Sequence, residues 1–96
     1  MELAELIQER REDILHIAAR HGAFNVRVFG SVARGEAGID SDVDFLVDAG
    51  PKCSSWFPAG LVIDLENLLG YPVDVVTSEA LHWFIRDRVL GESQPL

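Results

Sequence analysis

Two aspartates one residue apart, Asp42 and Asp44, follow the pair Gly30-Ser31 after a ten-residue spacer, and these four residues are where the sequence asks for chemistry. Side chains alternate across a strand, so an extended Val43-Asp44-Phe45-Leu46-Val47 puts both carboxylates on one face and Val43 and Phe45 on the other. Like charges this close repel unless a cation offsets them. Oxygen ligands on a rigid strand suit a hard divalent ion such as Mg²⁺. Gly30 follows the apolar run Val26-Arg27-Val28-Phe29, and a glycine there lets backbone N–H groups approach an anion, with the Ser31 hydroxyl as a further donor. A phosphate cradle facing a carboxylate-held metal describes a site for a nucleoside triphosphate. Alone, Gly30-Ser31 reads as a turn and Asp42 with Asp44 as solvated edge charge. Their combination at two strand ends is what points to a site.

Three further residues belong near it. Asp74 interrupts the β-branched run Val73-Asp74-Val75-Val76, where burying a carboxylate is costly without a cation or hydrogen-bond partners, so it is the candidate third acid; the alternative is an exposed aspartate on an edge strand. Arg34 can grip a triphosphate with its guanidinium fork, or pair with Glu36, Asp40 or a loop carbonyl. Asp48 shares the parity of Asp42 and Asp44 but lies roughly 13–20 Å along the strand, too far to share a metal. Asp40 reads as a bystander, with a supporting role for Asp40 or Ser41 left open.

The elements that must position these residues are legible as periodicity. Leu3, Leu6, Ile7, Ile14, Leu15, Ile17 and Ala18 predict one amphipathic helix from Glu2 to His21, closed by Gly22 at C′. A strand over 26–29 and a short helix over 31–34, its N-terminus toward the phosphates, precede the site loop. Leu61, Val62, Leu65, Leu68 and Leu69 predict a helix from Ala59 that ends at Gly70. A strand over 73–76 is expected beside the second. Ser78 or Thr77 is expected to cap a last helix from about Glu79 to Leu90, with Gly91 to Leu96 a frayed tail. Trp56 and Phe57 read as a hydrophobic lid or as a stacking surface. His16 and His21 read as structural or exposed, and Arg10-Arg11, Arg86 and Arg88 as surface residues.

Composition bounds the function. A chain of 96 residues reads as one domain, 1–96, with room for a single core. Sixteen acidic against eight basic residues give a formal charge of −8, with Lys52 the sole lysine, which speaks against holding nucleic acid through its phosphates. Cys53 is the single cysteine and reads as an incidental thiol. Without an export pattern or a run of about 20 apolar residues, the expectation is a cytoplasmic protein with no membrane span.

Gly30-Ser31, the spacer Val32 to Ser41 and Asp42-Val43-Asp44 resemble the signature of the DNA polymerase beta-like nucleotidyltransferase superfamily. Gly30-Ser31-Val32-Ala33-Arg34-Gly35-Glu36 and Asp40-Ser41-Asp42-Val43-Asp44-Phe45-Leu46-Val47 resemble its smallest branch, the minimal nucleotidyltransferases of the MNT or MntA type. The likeness runs on loosely through 63–70 and 73–77. It implies an α/β (α+β) domain with a small mixed sheet backed by helices, and Mg²⁺-dependent transfer of a nucleotide. Asp42 and Asp44 would be metal ligands, Asp74 third ligand or base, Gly30 and Ser31 phosphate holders, and two Mg²⁺ ions the cofactors. The acceptor implied is a tyrosine of a cognate HEPN-domain RNase toxin, the donor ATP, and the role that of a type VII-like antitoxin. Val32 departs from the arginine that many minimal members carry there. Two rivals stand beside this reading: an antitoxin that occludes its toxin without catalysis, and a stand-alone transferase for a small molecule such as an aminoglycoside.

Overall fold

The computed structural model describes residues 2–36, 38, 41–51, 57–81 and 83–96, and for residues 83–85 the backbone only. Asp40, Cys53 and Trp56 lie outside the described residues. In chain order the elements are α1 (Leu3–Glu9), α2 (Arg11–Arg20), β1 (Ala23–Phe29), α3 (Gly30–Ala33), β2 (Val43–Ala49), α4 (Ala59–Leu69), β3 (Val73–Thr77), a 3₁₀ turn (Ser78–Ala80), α5 (Trp83–Glu92) and β4 (Gln94–Pro95). The sheet runs β3-β2-β1-β4, with β2 and β3 parallel and the other pairs antiparallel, so it is the small mixed sheet expected. A parallel pair needs a crossover, and α4 supplies it.

One face of the sheet makes the core. Val43, Phe45 and Val47 on β2, with Val26 and Val28 on β1 and Val73 and Val75 on β3, meet Leu3, Ile7, Ile14 and Ala18 of the first two helices and Leu61, Leu65 and Leu69 of α4. Phe57 packs against this cluster as well. Among the described residues no helix is long and apolar enough to cross a membrane.

The single first helix expected from periodicity is in fact two. Its buried stripe is Leu3, Ile7, Ile14 and Ala18, and the turn between Ile7 and Ile14 offers only Arg10 and Arg11, both exposed, to the core side. Guanidinium groups cannot fill an apolar seam without partners. The backbone breaks at Arg10 (φ −96°, ψ 13°), while Arg10 N–H still reaches Leu6 O and Ile14 N–H reaches Arg10 O, each at 2.9 Å. The first strand also starts earlier than expected, because Ala23 and Val26 are both buried despite opposite parity. An extra residue reconciles them: the β1–β2 register shifts between Phe24 and Arg27, around Asn25 with φ 51°. At the other end of the chain, Thr77 caps the 3₁₀ turn, accepting from Ala80 N–H at 3.2 Å, and α5 starts only at Trp83. The supposed frayed tail is ordered: α5 runs to Glu92 and Gln94–Pro95 adds a strand to the free edge of β1.

Polar ties hold the layers in place. His21 Nε2 and Asp64 Oδ2 lie 2.7 Å apart, joining the end of α2 to α4, so His21 is structural. Asp48 gathers Asn25 Nδ2 at 2.9 Å, Arg27 Nη2 at 3.1 Å and the Ser78 hydroxyl. These donors, the Ser78 hydroxyl first, hold its carboxyl below the usual carboxylate range. A carboxyl whose folded pKa is depressed contributes stability above its unfolded pKa and loses it as pH falls through the folded one. Replacing Asp48 by Ala should therefore cost about 1–2 kcal/mol at neutral pH, the scale of charge-assisted hydrogen bonds. Urea unfolding should show that difference shrinking as pH falls below the carboxylate range; a difference that does not change with pH would mean that packing, not charge, makes Asp48 matter.

Candidate active site

The site is assembled where β1 ends. Phe29 pairs with Asp44 across the antiparallel β1–β2 ladder, and Asp44 pairs with Asp74 across the parallel β2–β3 ladder. Neighbours in register share a face, so Asp44 and Asp74 stand side by side opposite the core, as the buried pairs Val43 with Val73 and Phe45 with Val75 demonstrate from the other face. Asp42 sits one residue before β2 and is exposed, Asp44 is half-buried, and Asp74 is exposed. The expectation that Asp74 is a buried charge is corrected: β3 is an edge strand, so its outer face reaches solvent.

Asp44 carries the electrostatic signature of the site. Burial pushes its carboxyl up from the ordinary value, Asp74 and then Asp42 push it further by like charge, and Arg34 opposes them. Asp42, Asp74 and Arg34 are thus all close enough to act on the Asp44 carboxyl. Among the described residues no three acids, histidines or cysteines close around a common point.

Gly30 is fixed by two constraints at once. Its φ is +73°, and a Cβ there would fall inside the contact distance of Asp44 Oδ2, 3.2 Å from Asp44 Cγ. Only glycine satisfies both. The chain then turns through α3, shorter by a residue at its end than expected and beginning at Gly30 itself, which brings Arg34 back toward the strand ends. Ser31 is half-buried and makes no side-chain hydrogen bond among the described residues. Val32 is buried in the core, so the position that could have carried another cation is used for packing.

Arg34 pairs with Glu36, one of the alternatives expected for it, and with Glu92, which was not among them. Its Nε donates to Glu36 Oε2 at 3.1 Å, and its Nη1 donates to Glu92 Oε1 at 3.0 Å. The same Glu92 oxygen accepts the Gly30 N–H at 3.2 Å. Sequence reasoning missed Glu92, since it falls in a stretch with no apolar period to suggest an ordered element.

The comparisons with known proteins agree with this geometry. A profile described as the nucleotidyltransferase domain matches residues 11–96. The chain is 41% identical over 95 residues to the protein adenylyltransferase MntA of Thermococcus cleftensis, covering 94% of this chain and 96% of that protein. It superposes with a TM-score of 0.88 on a provisionally named minimal nucleotidyltransferase, 49% identical, covering 100% of this chain and 97% of that one. A crystal structure of a toxin–antitoxin with AMP-PNP shares the fold at a TM-score of 0.75 and 20% identity, over 88% of this chain and 69% of that one.

Two outcomes test the geometry. An acid whose folded pKa is raised binds more protons folded than unfolded between the two pKa values, so stability falls as pH rises through that window and stays reduced above it. Replacing Asp44 by Asn should accordingly raise the thermal midpoint of the metal-free protein at neutral pH, the gain fading as pH is lowered until the wild-type carboxyl holds its proton. Added Mg²⁺ should raise the wild-type midpoint and scarcely move the variant. A lower midpoint for the variant in chelator would show that the carboxylate is favourably held after all. Replacing Gly30 by Ala should lower the unfolding free energy by about 1–3 kcal/mol through backbone strain and displacement of Asp44, which chemical denaturation would detect.

Proposed function

Because the chain belongs to the nucleotidyltransferase domain family, we propose that it is an antitoxin that transfers AMP from ATP to a tyrosine of a cognate HEPN-domain RNase toxin and so silences it. The observation that carries this reading is the placement of Asp44 beside Asp74 in register and against the Gly30 turn. The name of the Thermococcus relative and the AMP-PNP in the toxin–antitoxin neighbour support the choice of protein acceptor and of ATP.

In this reading Asp42 and Asp44 hold Mg²⁺, with Asp74 as third ligand or base, and Gly30, Ser31 and Arg34 receive the outer phosphates. The metal, as two ions in the full reaction, supplies neutralisation of the charge that gathers on the phosphate oxygens. The tyrosine oxygen attacks the α-phosphorus, and the bond from that phosphorus to the oxygen bridging the α- and β-phosphates breaks. Pyrophosphate leaves with the bonding electrons, and the phenolic proton passes to Asp74 acting as base. The exposure of Asp74 suits that part, because the hydroxyl it must meet is brought by another molecule. The net charge of −8 argues for an acceptor that is not itself a polyanion.

Mass spectrometry of the cognate toxin after incubation with this protein, ATP and Mg²⁺ tests the proposal. Increments of one or more AMP groups on a toxin tyrosine are expected, together with their loss when Asp42 and Asp44 are both replaced by Asn. A toxin left unmodified yet inhibited by wild type and double variant alike would mean that the antitoxin works by occlusion.

A further inference from the structure

Gly30 N–H and Arg34 Nη1 are two of the donors that the proposed triphosphate site assigns to the phosphates, and both are engaged by one oxygen of Glu92, at 3.2 and 3.0 Å. The carboxylate is mostly shielded, with 23% of the side chain exposed, so this is not a loose surface pair. Its backbone is anchored on the elements that build the turn. Gln94 Nε2 donates to Ala33 O at 3.1 Å, Leu96 N–H donates to Val26 O at 3.1 Å, and Gln94 and Pro95 pair with Val28 and Arg27 on β1. Glu92 therefore approaches the turn from a fixed platform at the β1–β4 edge of the sheet.

From this geometry we infer that Glu92 is an internal stand-in for a phosphate: its carboxylate occupies the donors of the nucleotide cradle, and a triphosphate binds by displacing it. The inference rests on the triphosphate reading of the site given above. Two anions cannot share these donors, since Gly30 offers a single N–H and a second negative group beside Glu92 would meet it at contact distance. Displaced from Gly30, the Glu92 side chain remains on an ordered helix end, and Arg34 keeps Glu36 as a second partner, so the exchange requires no unfolding. The consequence is a lowered apparent nucleotide affinity, reduced by the fraction of molecules in which the donors are free. Charge in the site is regulated as well: the cradle is never left as bare donors next to Asp42, Asp44 and Asp74, and a partner that shifts β4 or the end of α5 would raise nucleotide affinity without touching the acids.

Calorimetric titration of Mg²⁺ and AMP-PNP into wild type, Glu92→Gln, Glu92→Ala and Glu36→Gln tests it. Glu36 also pairs with Arg34, through a side chain that is 65% exposed, but touches no donor of Gly30, so it controls for the loss of one negative charge. Both Glu92 variants are expected to bind about three- to tenfold more tightly than wild type, on the arithmetic of a mostly occupied competing state. Glu36→Gln is expected to change affinity by less than about twofold, as for exposed charges generally. Equal or weaker binding by the Glu92 variants, or an equal gain in Glu36→Gln, overturns the inference while leaving the triphosphate site standing. If none of the four proteins binds the nucleotide, the triphosphate reading fails and this inference fails with it.

Discussion

The Asp44 carboxylate, standing where a Cβ at residue 30 would have to go, is the constraint on which the site depends. It allows no side chain at residue 30, where the backbone is also left-handed, and there β1 ends at Phe29 and the turn toward Arg34 starts. What holds Asp44 at that spot is hydrophobic packing one residue away on each side. Val43, Phe45 and Val47 are almost wholly buried, and a slip of one residue would turn them to solvent and drive Asp44 into the core. The apolar face thus sets the register with which the polar face does its chemistry. The extra residue at Asn25 absorbs the parity mismatch at the far end of β1, leaving the pairing of Phe29 with Asp44 in step.

Asp44 and Asp48 lie on one strand, with the same parity, and their carboxyls are pushed in opposite directions. Asp48 is surrounded by donors from Asn25, Arg27 and Ser78 and is held below its ordinary range. Asp44 has burial and two further acids as its main surroundings and is held above it. A carboxylate that the fold satisfies belongs to the architecture, and its neighbours tie β1, β2 and the 3₁₀ turn together. A carboxylate half-buried beside two further acids is the kind of group that concentrates at functional sites. Stability is given up at Asp44 and recovered at Asp48, on the same face of the same strand.

How much of this was legible in the sequence differs by element for physical reasons. The strand–turn–strand around Gly30 and Asp44 was readable because it combines period-2 apolar residues with residues of special conformation, both of which are local signals. So was α4, whose apolar stripe runs unbroken from Leu61 to Leu69 and stops at a left-handed Gly70. The placement of Asp74 beside Asp44 followed from the crossover that a helix between two short strands implies. The break at Arg10 was less visible, since the periodicity on either side is in phase and only the missing stripe member marks it. The early start of β1 was hidden because a bulge destroys the alternation by which a strand is recognised. The burial expected for Asp74 failed for a further reason: β-branched residues on both sides suggest a central strand, and sheet order, which decides whether a strand has an outer neighbour, is not a local property.

The C-terminal stretch shows the same limit most clearly. Gly91 to Leu96 contains glycine, serine, glutamine and proline, with no period, and by composition it reads as fraying. Its first residues continue α5, with Ser93 bonded back to Val89 O and Leu90 O, and the rest is held by tertiary partners: Val26 O, Ala33 O and the free edge of β1. A two-residue strand containing Pro95 suits an edge, because it covers part of β1 and offers little for a further strand to pair with. That edge covering and the placement of Glu92 are one structural event, since the residue lies two positions before the strand it leads into. The bonds of Glu92 to Gly30 and Arg34 and the pairing of β4 with β1 thus lie within a span of only a few residues.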